Sequence, residues 1–228
     1  MKNHLLTALI ALVFGFAGAA LWSLTGLGHA QTRDYLVANP DILPEMAEAF
    51  ETRQAEARLE PIKENVKSAY PGAVLGNPDG SRTLVKFTDY GCTFCRQSTQ
   101  DIDRLIAEDP ELRVVVREWP IFEGSEWPAR MALAAAAQGK YAAFYHAMFE
   151  QGATDRQAVE TAARRAGLDM EAAQQVAKSD AVSAELARNL EYARTLGFTG
   201  TPSWVAQDQI LQGAVGFDRL AQALDTES

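Results

Sequence analysis

The sequence predicts an α/β domain that carries an all-helical insertion, preceded by a helical extension and an uncharged N-terminal run. Three observations predict it. Two β-branched runs, 83–88 and 112–119, flank a segment with helical spacing, an order that calls for a crossover and parallel pairing. The chain then reads as helix for a long stretch. A short strand pair and one more helix close it.

The elements follow from the N-terminus. Lys2 and His4 precede "LLTALIALVFGFAGAALWSLTGL", residues 5–27, a run of 23 without a charge. A cleavable leader has an apolar core of roughly 7–15 residues and a spanning helix needs about 20, so the run favours a retained signal-anchor over residues 1–30. Gly28 and Ala30 also fit a cleavage site before Gln31. Lys2 favours a cytoplasmic N-terminus. Under either reading the remainder is exported.

Residues 31–70 are polar and helix-prone, with capping signals at Thr32 and at Asn39-Pro40. Ile42, Met46, Phe50, Leu59, Ile62 and Val66 form a sparse apolar stripe, and Pro44 and Pro61 limit any regular helix. Two readings stand: a solvated spacer, or a segment that self-associates through that stripe. From residue 71 the pattern changes. Residues 73–75 are a short strand, Asn77-Pro78-Asp79-Gly80 a turn, and 83–88 an apolar strand. Helical spacing runs from Cys92 to Glu108 through Phe94, Ile102, Leu105 and Ile106, and Asp109-Pro110 stops it. The strand 112–119 follows, then a helical insertion over about 122–197 with ends at Gly167 and Gly197. Residues 203–206 and 210–212 read as a hairpin and "DRLAQAL" as the last helix. Residues 71–228 form the main domain.

Composition narrows the function classes. Of 228 residues, 47% are hydrophobic and 22% charged, an ordinary globular balance. The net charge of −9 argues against a general nucleic-acid binder, which would meet phosphate repulsion. The two cysteines, Cys92 and Cys95, stand where a strand turns into a helix. In an exported protein such a pair can oxidise, yet a bridge closing two intervening residues is a poor staple. At a helix start the first sulfur lies beside unsatisfied N–H groups and the positive end of the dipole, so Cys92 is the candidate attacking thiolate. Cys95, one turn on, is placed to release a mixed disulfide. Gly91 leaves room for a partner backbone. Structural zinc wants four ligands from a chain with two Cys and three His. Haem attachment wants a His where Arg96 stands. A Cu(I) site on both thiolates is the non-catalytic alternative, and a peroxide-reducing thiol protein is a weaker enzymatic one.

The passage "KFTDYGCTFC", the strand "VVVREWPIF", the helical block and "GFTGTPSWV" together resemble the thioredoxin-fold DsbA superfamily, most closely its exported thiol:disulfide interchange proteins of the ScsC/Com1 type. The resemblance covers about residues 71–224, with 32–70 in the place of an N-terminal extension. It implies a thioredoxin-like fold and a thiol:disulfide oxidoreductase or isomerase. Cys92 matches the nucleophile and Cys95 the resolving cysteine. Thr93 and Phe94 occupy the dipeptide that tunes redox potential, and Thr201 and Pro202 the substrate-facing loop whose proline is cis. No cofactor is implied beyond the redox-active pair, and no metal. Implied partners are exported clients and a membrane or periplasmic redox partner, in a periplasmic protein anchored through residues 5–27. One departure stands out: six residues before Cys92, where such proteins often bury an acid, this chain has Lys86. A buried lysine needs a partner, for which Glu118 is the candidate; otherwise Lys86 snorkels to the surface.

Overall fold

The computed structural model describes residues 2–24 and 27–225, and the chain divides into two compact units, 1–51 and 52–228. In the first, α1 spans Lys2–Leu24 and α2 spans Leu27–Ala38. Of the run expected to cross a membrane, residues 25 and 26 and several side chains lie outside the described set. Among the described residues no helix is long and apolar enough to cross one. Helix α3, Ile42–Leu59, takes Pro44 in its first turn, where a missing N–H costs nothing. Its Leu43, Met46 and Phe50 are exposed.

The second unit begins well before residue 71. A 3₁₀ turn, Glu60–Ile62, forms at Pro61, and α4 covers Lys63–Lys67. Leu59 and Val66 are buried there against Val85, Phe87 and Val115. The apolar stripe read from Ile42 to Val66 is therefore not one seam. Its C-terminal part is core of the sheet domain, and only its N-terminal part stays exposed.

The sheet has β1 (Val74–Gly76), β2 (Arg82–Thr88), β3 (Leu112–Glu118), β4 (Ser203–Ala206) and β5 (Gln209–Gln212) in the order β1-β3-β2-β4-β5. Strands β2 and β3 are parallel, as the crossover demands, and every other pair is antiparallel. The crossover is α5, Thr93–Glu108, which buries Cys95, Ser98, Thr99, Ile102 and Leu105 at helical spacing. The insertion holds α6 (Glu126–Ala137), α7 (Tyr141–Gln151), α8 (Arg156–Arg165), α9 (Met170–Ala177) and α10 (Asp180–Leu196). Asp155, Asp169 and Ser179 cap the N-termini of α8, α9 and α10 with their side chains. Helix α11, Phe217–Asp225, closes the chain.

Strand alternation divides the core between the two sheet faces. Leu84, Val114, Val116 and Trp204 lie with Ile102, Phe144 and Tyr145. Val85, Phe87, Val115 and Val205 lie with Leu59, Val66 and Leu196. Lys86 and Glu118 are in phase with the first set and Arg117 with the second. Arg117 is 1% exposed and pairs with Glu185 at 2.8 Å. It also donates to the carbonyls of Asn65, Val66 and Ser68, which ties α4 to the sheet.

Candidate active site

At the C-terminal end of β2 the chain turns through Asp89-Tyr90-Gly91 into α5. Asp89 is buried, and both of its carboxylate oxygens are used: Oδ1 accepts from the Gly91 N–H at 2.7 Å, and Oδ2 accepts from the N–H groups of Ile121 and Phe122 at 2.6 and 2.9 Å. One carboxylate thus fixes the turn before Cys92 and the loop after β3 together. Gly91 is required by space, since a Cβ there would stand 2.7 Å from Ser125 Oγ and 3.2 Å from Phe122 Cβ.

Cys92 is the N-cap of α5, and its sulfur accepts the Cys95 N–H at 3.3 Å. The thiol group also lies 3.1 Å from the Thr201 carbonyl, to which it donates. The loop that supplies this carbonyl has a cis Thr201–Pro202 bond, the geometry the resemblance implies. Both cysteines are unbridged. The two sulfurs are electrostatically unequal. Hydrogen bonding from the Cys95 thiol brings the Cys92 thiol down to about 6; Thr201 and the N–H groups of Cys95 and Phe94 add to this, against the opposing effect of burial. Burial pushes the Cys95 thiol far up, its bond to Cys92 pushes the same way, and Lys86 pulls it down. Cys92 is 4% exposed and Cys95 0%. Thr93 is exposed, and Phe94, Ile121 and Phe122 are 59%, 41% and 49% exposed in the segments that flank Cys92.

Lys86 does not snorkel. It is 0% exposed, and its Nζ donates to the Cys95 carbonyl at 3.1 Å and to Tyr145 Oη at 2.7 Å. Two rings, Phe149 and Trp204, present their faces to it with centroids at 5.5 and 5.4 Å, while Tyr145 meets it in the ring plane through its hydroxyl. Nor does it pair directly with Glu118. That carboxyl is also buried, but its Oε1 accepts from Tyr90 Oη at 3.0 Å and Tyr141 Oη at 2.7 Å. Both groups belong to one buried polar cluster, each taken up by tyrosines instead of by the other. Desolvation raises the Glu118 carboxyl to about 8 in spite of those two donors, and Oε2 is buried without a partner, as suits a carboxyl that keeps its proton. Asp89 and the tyrosines are the site residues that sequence reasoning missed. The Asx-turn signal "TDYG" and the i, i+4 pair Tyr141 and Tyr145 were the available clues.

Among the described residues no group of three or more His, Cys, Asp or Glu is placed to hold a metal. Residues 83–225 match the DSBA-like thioredoxin domain. The chain belongs to that family. Residues 29–57 also match the copper resistance protein ScsC N-terminal domain. Among solved structures, a thioredoxin-like oxidoreductase from Silicibacter pomeroyi is 42% identical, with 67% of this chain and 89% of that one covered at a TM-score of 0.64. Proteus mirabilis ScsC in a transitional conformation is 27% identical, with 86% and 91% covered and a TM-score of 0.66. The Na(+)/H(+) antiporter NhaA of Herminiimonas arsenicoxydans is 32% identical over 143 residues, 62% of this chain. The chain spans only 23% of that relative's length.

The electrostatics of this DSBA-like site give a pH signature. Glu118 has a folded pKa above its unfolded value, so the folded state holds its proton longer. The contribution is full below about 4.5 and lost as pH rises through about 8. Thermal melts of Glu118→Gln against the parent should show a stability gain that grows across that window. A gain that is independent of pH would contradict the assignment.

Proposed function

We propose that this chain exchanges disulfides with exported proteins, Cys92 being the sulfur that meets the client and Cys95 the one that resolves the mixed disulfide. The carrying observation is the asymmetry of two sulfurs one helical turn apart. One is a capped thiolate brought down to about 6, and the other is a thiol that burial keeps protonated. In the reducing direction the Cys92 thiolate attacks a client disulfide. A Cys92–client bond forms, and one client sulfur leaves with the electron pair. Cys95 then attacks Cys92, closes the intramolecular bond and releases the second client sulfur. The sequence runs in reverse for donation.

The rest of the site supports the reading. Thr201 and Pro202 lie beside the sulfurs, where an extended client backbone would approach, and the exposed rings of Phe94 and Phe122 suit an unfolded, apolar client. Thr93 and Phe94, inside the pair, tune its potential. The uncharged run 5–27 supports export to the periplasm, with retention as an inner-membrane anchor. The N-terminal residue of the exported chain tests retention, and a mature form that begins at Gln31 refutes it.

Association of copies rests on Leu43, Met46 and Phe50, which recur at i, i+3 and i+7 on α3 and are 67%, 48% and 63% exposed. Two or more sites on one scaffold would favour isomerisation over simple donation, by effective concentration. Light scattering on the chain from Gln31 should give an oligomer, and a monomer at high concentration removes that basis. A Cu(I) role would draw on the same two thiolates, because residues 29–57 contain no cysteine and supply no soft thiolate ligand.

The decisive experiment uses single substitutions. Cys92→Ser should abolish exchange, lowering turnover by about three orders of magnitude or more, by analogy with the loss of an essential nucleophile. Cys95→Ser should accumulate mixed disulfides with clients, visible as thiol-sensitive bands on non-reducing gels. Near-parental turnover in both variants would overturn the proposal.

A further inference from the structure

Lys86 is a buried charge that, among the described residues, makes no direct ion pair. A lysine taken out of water normally loses its proton or recruits a carboxylate. Here the ammonium is met instead by two oxygen acceptors, the Cys95 carbonyl and Tyr145 Oη, and by two aromatic faces, Phe149 and Trp204. Cation–π contacts of this kind strengthen when they are desolvated. Such a cage admits both forms: the oxygens and ring faces favour the ammonium, and burial favours the neutral amine. Of the groups that favour the ammonium through their charge, the Cys95 thiol comes first, and the same Nζ is already bonded to the Cys95 carbonyl at 3.1 Å.

We infer that Lys86 is the positioning residue for charge on Cys95: it takes the Cys95 proton and stabilises the thiolate when Cys95 attacks, and returns the proton when Cys95 leaves. The inference rests on the disulfide-exchange reading above. In the reducing direction the neutral amine accepts the proton from the Cys95 thiol. The sulfur then attacks Cys92, the Cys92–Cys95 bond forms, the Cys92–client bond breaks, and the client sulfur departs with the bonding pair. In donation, a client thiolate attacks Cys92, the Cys92–Cys95 bond breaks, and the Cys95 sulfur takes the ammonium proton. Either way the transient charge on Cys95 appears beside Lys86.

The environment is consistent with a group that exchanges protons near neutrality. Burial lowers the Lys86 amine to about 8, against the thiols of Cys95 and Cys92 and the carboxyls of Glu118 and Asp103, which favour the cation. From α5 it faces Cys92, Cys95 and Asp103, and Asp103 has His146 of α7 at 3.6 Å. From α7 it faces Tyr145, from β3 Glu118, and from β4 the Trp204 ring. Glu118 is itself held by Tyr90 and Tyr141. A fully buried cation near an acid that keeps its proton is a different arrangement from a buried carboxylate base. It stabilises thiolate instead of repelling it.

The test separates the two sulfurs in one reaction. The reduced full-length protein is mixed with the aromatic disulfide DTNB in a stopped-flow instrument. The first coloured thiolate reports attack by Cys92 and the second reports attack by Cys95. Lys86→Met keeps the length and removes the charge. It should leave the first phase within about threefold and slow the second by about tenfold or more at neutral pH, the range of a lost acid–base group. The second phase should also lose the inflection that the parent shows near pH 8. A second phase of parental rate and pH profile overturns the inference. If Lys86→Met does not fold, Tyr145→Phe decides, because it removes the 2.7 Å bond to Nζ and leaves the ring in place. A shifted second-phase pH profile supports the inference, and an unshifted one overturns it. The underlying reading fails separately: a first phase that survives in Cys92→Ser means Cys92 is not the exchanging sulfur.

Discussion

The site depends on one helix cap made by sulfur. A helix N-terminus leaves several backbone N–H groups without partners, and ordinarily an Asn, Asp, Ser or Thr oxygen takes one of them. Here the Cys92 sulfur does so, accepting from the Cys95 N–H, with the Thr201 carbonyl on its other side. Negative charge on that sulfur is therefore met by a backbone N–H that the fold must provide anyway. The turn before it is held by Asp89, whose two oxygens bind three backbone N–H groups. Reactivity here is a consequence of how β2 is joined to α5.

Beneath the cap, the same sheet face carries two ionisable groups that the core accepts on different terms. Lys86 is solvated by rings and two oxygens, and Glu118 by two tyrosine hydroxyls with its proton retained. On the opposite face Arg117 has Glu185 and three backbone carbonyls. That arginine is structural, since its partners belong to α4, to Ser68 at the end of α4, and to α10. The lysine has only groups of the active site around it. Burial of a charge costs most where its partners are fewest, so the position of Lys86 against Cys95 is the one that calls for a functional account.

Much of this was legible in the chain. Apolar, β-branched runs placed β2 and β3, and the Cys92-Thr93-Phe94-Cys95 passage with Thr201-Pro202 located the site. Strand alternation already put Lys86 in phase with Leu84, so its burial could have been read from the pleat alone. Two things were not legible. Periodicity cannot tell which part of a sparse stripe is covered, and Leu59 and Val66 turned out to be core while Met46 and Phe50 did not. Nor does sequence pair side chains across elements: Glu118 faces Lys86 on the same sheet face, yet tyrosines from α7 and the β2–α5 turn satisfy it first.

The central claim is that the two sulfurs are unequal because one caps a helix and the other is buried within it. Ultraviolet thiolate absorbance, followed on the reduced protein across pH, tests this most directly. The account predicts a single-thiolate rise with its midpoint near 6, assigned to Cys92 by its loss in Cys92→Ser, and no second thiolate until strongly alkaline pH. Two thiolates rising together near the ordinary cysteine value of about 8.5 would contradict it.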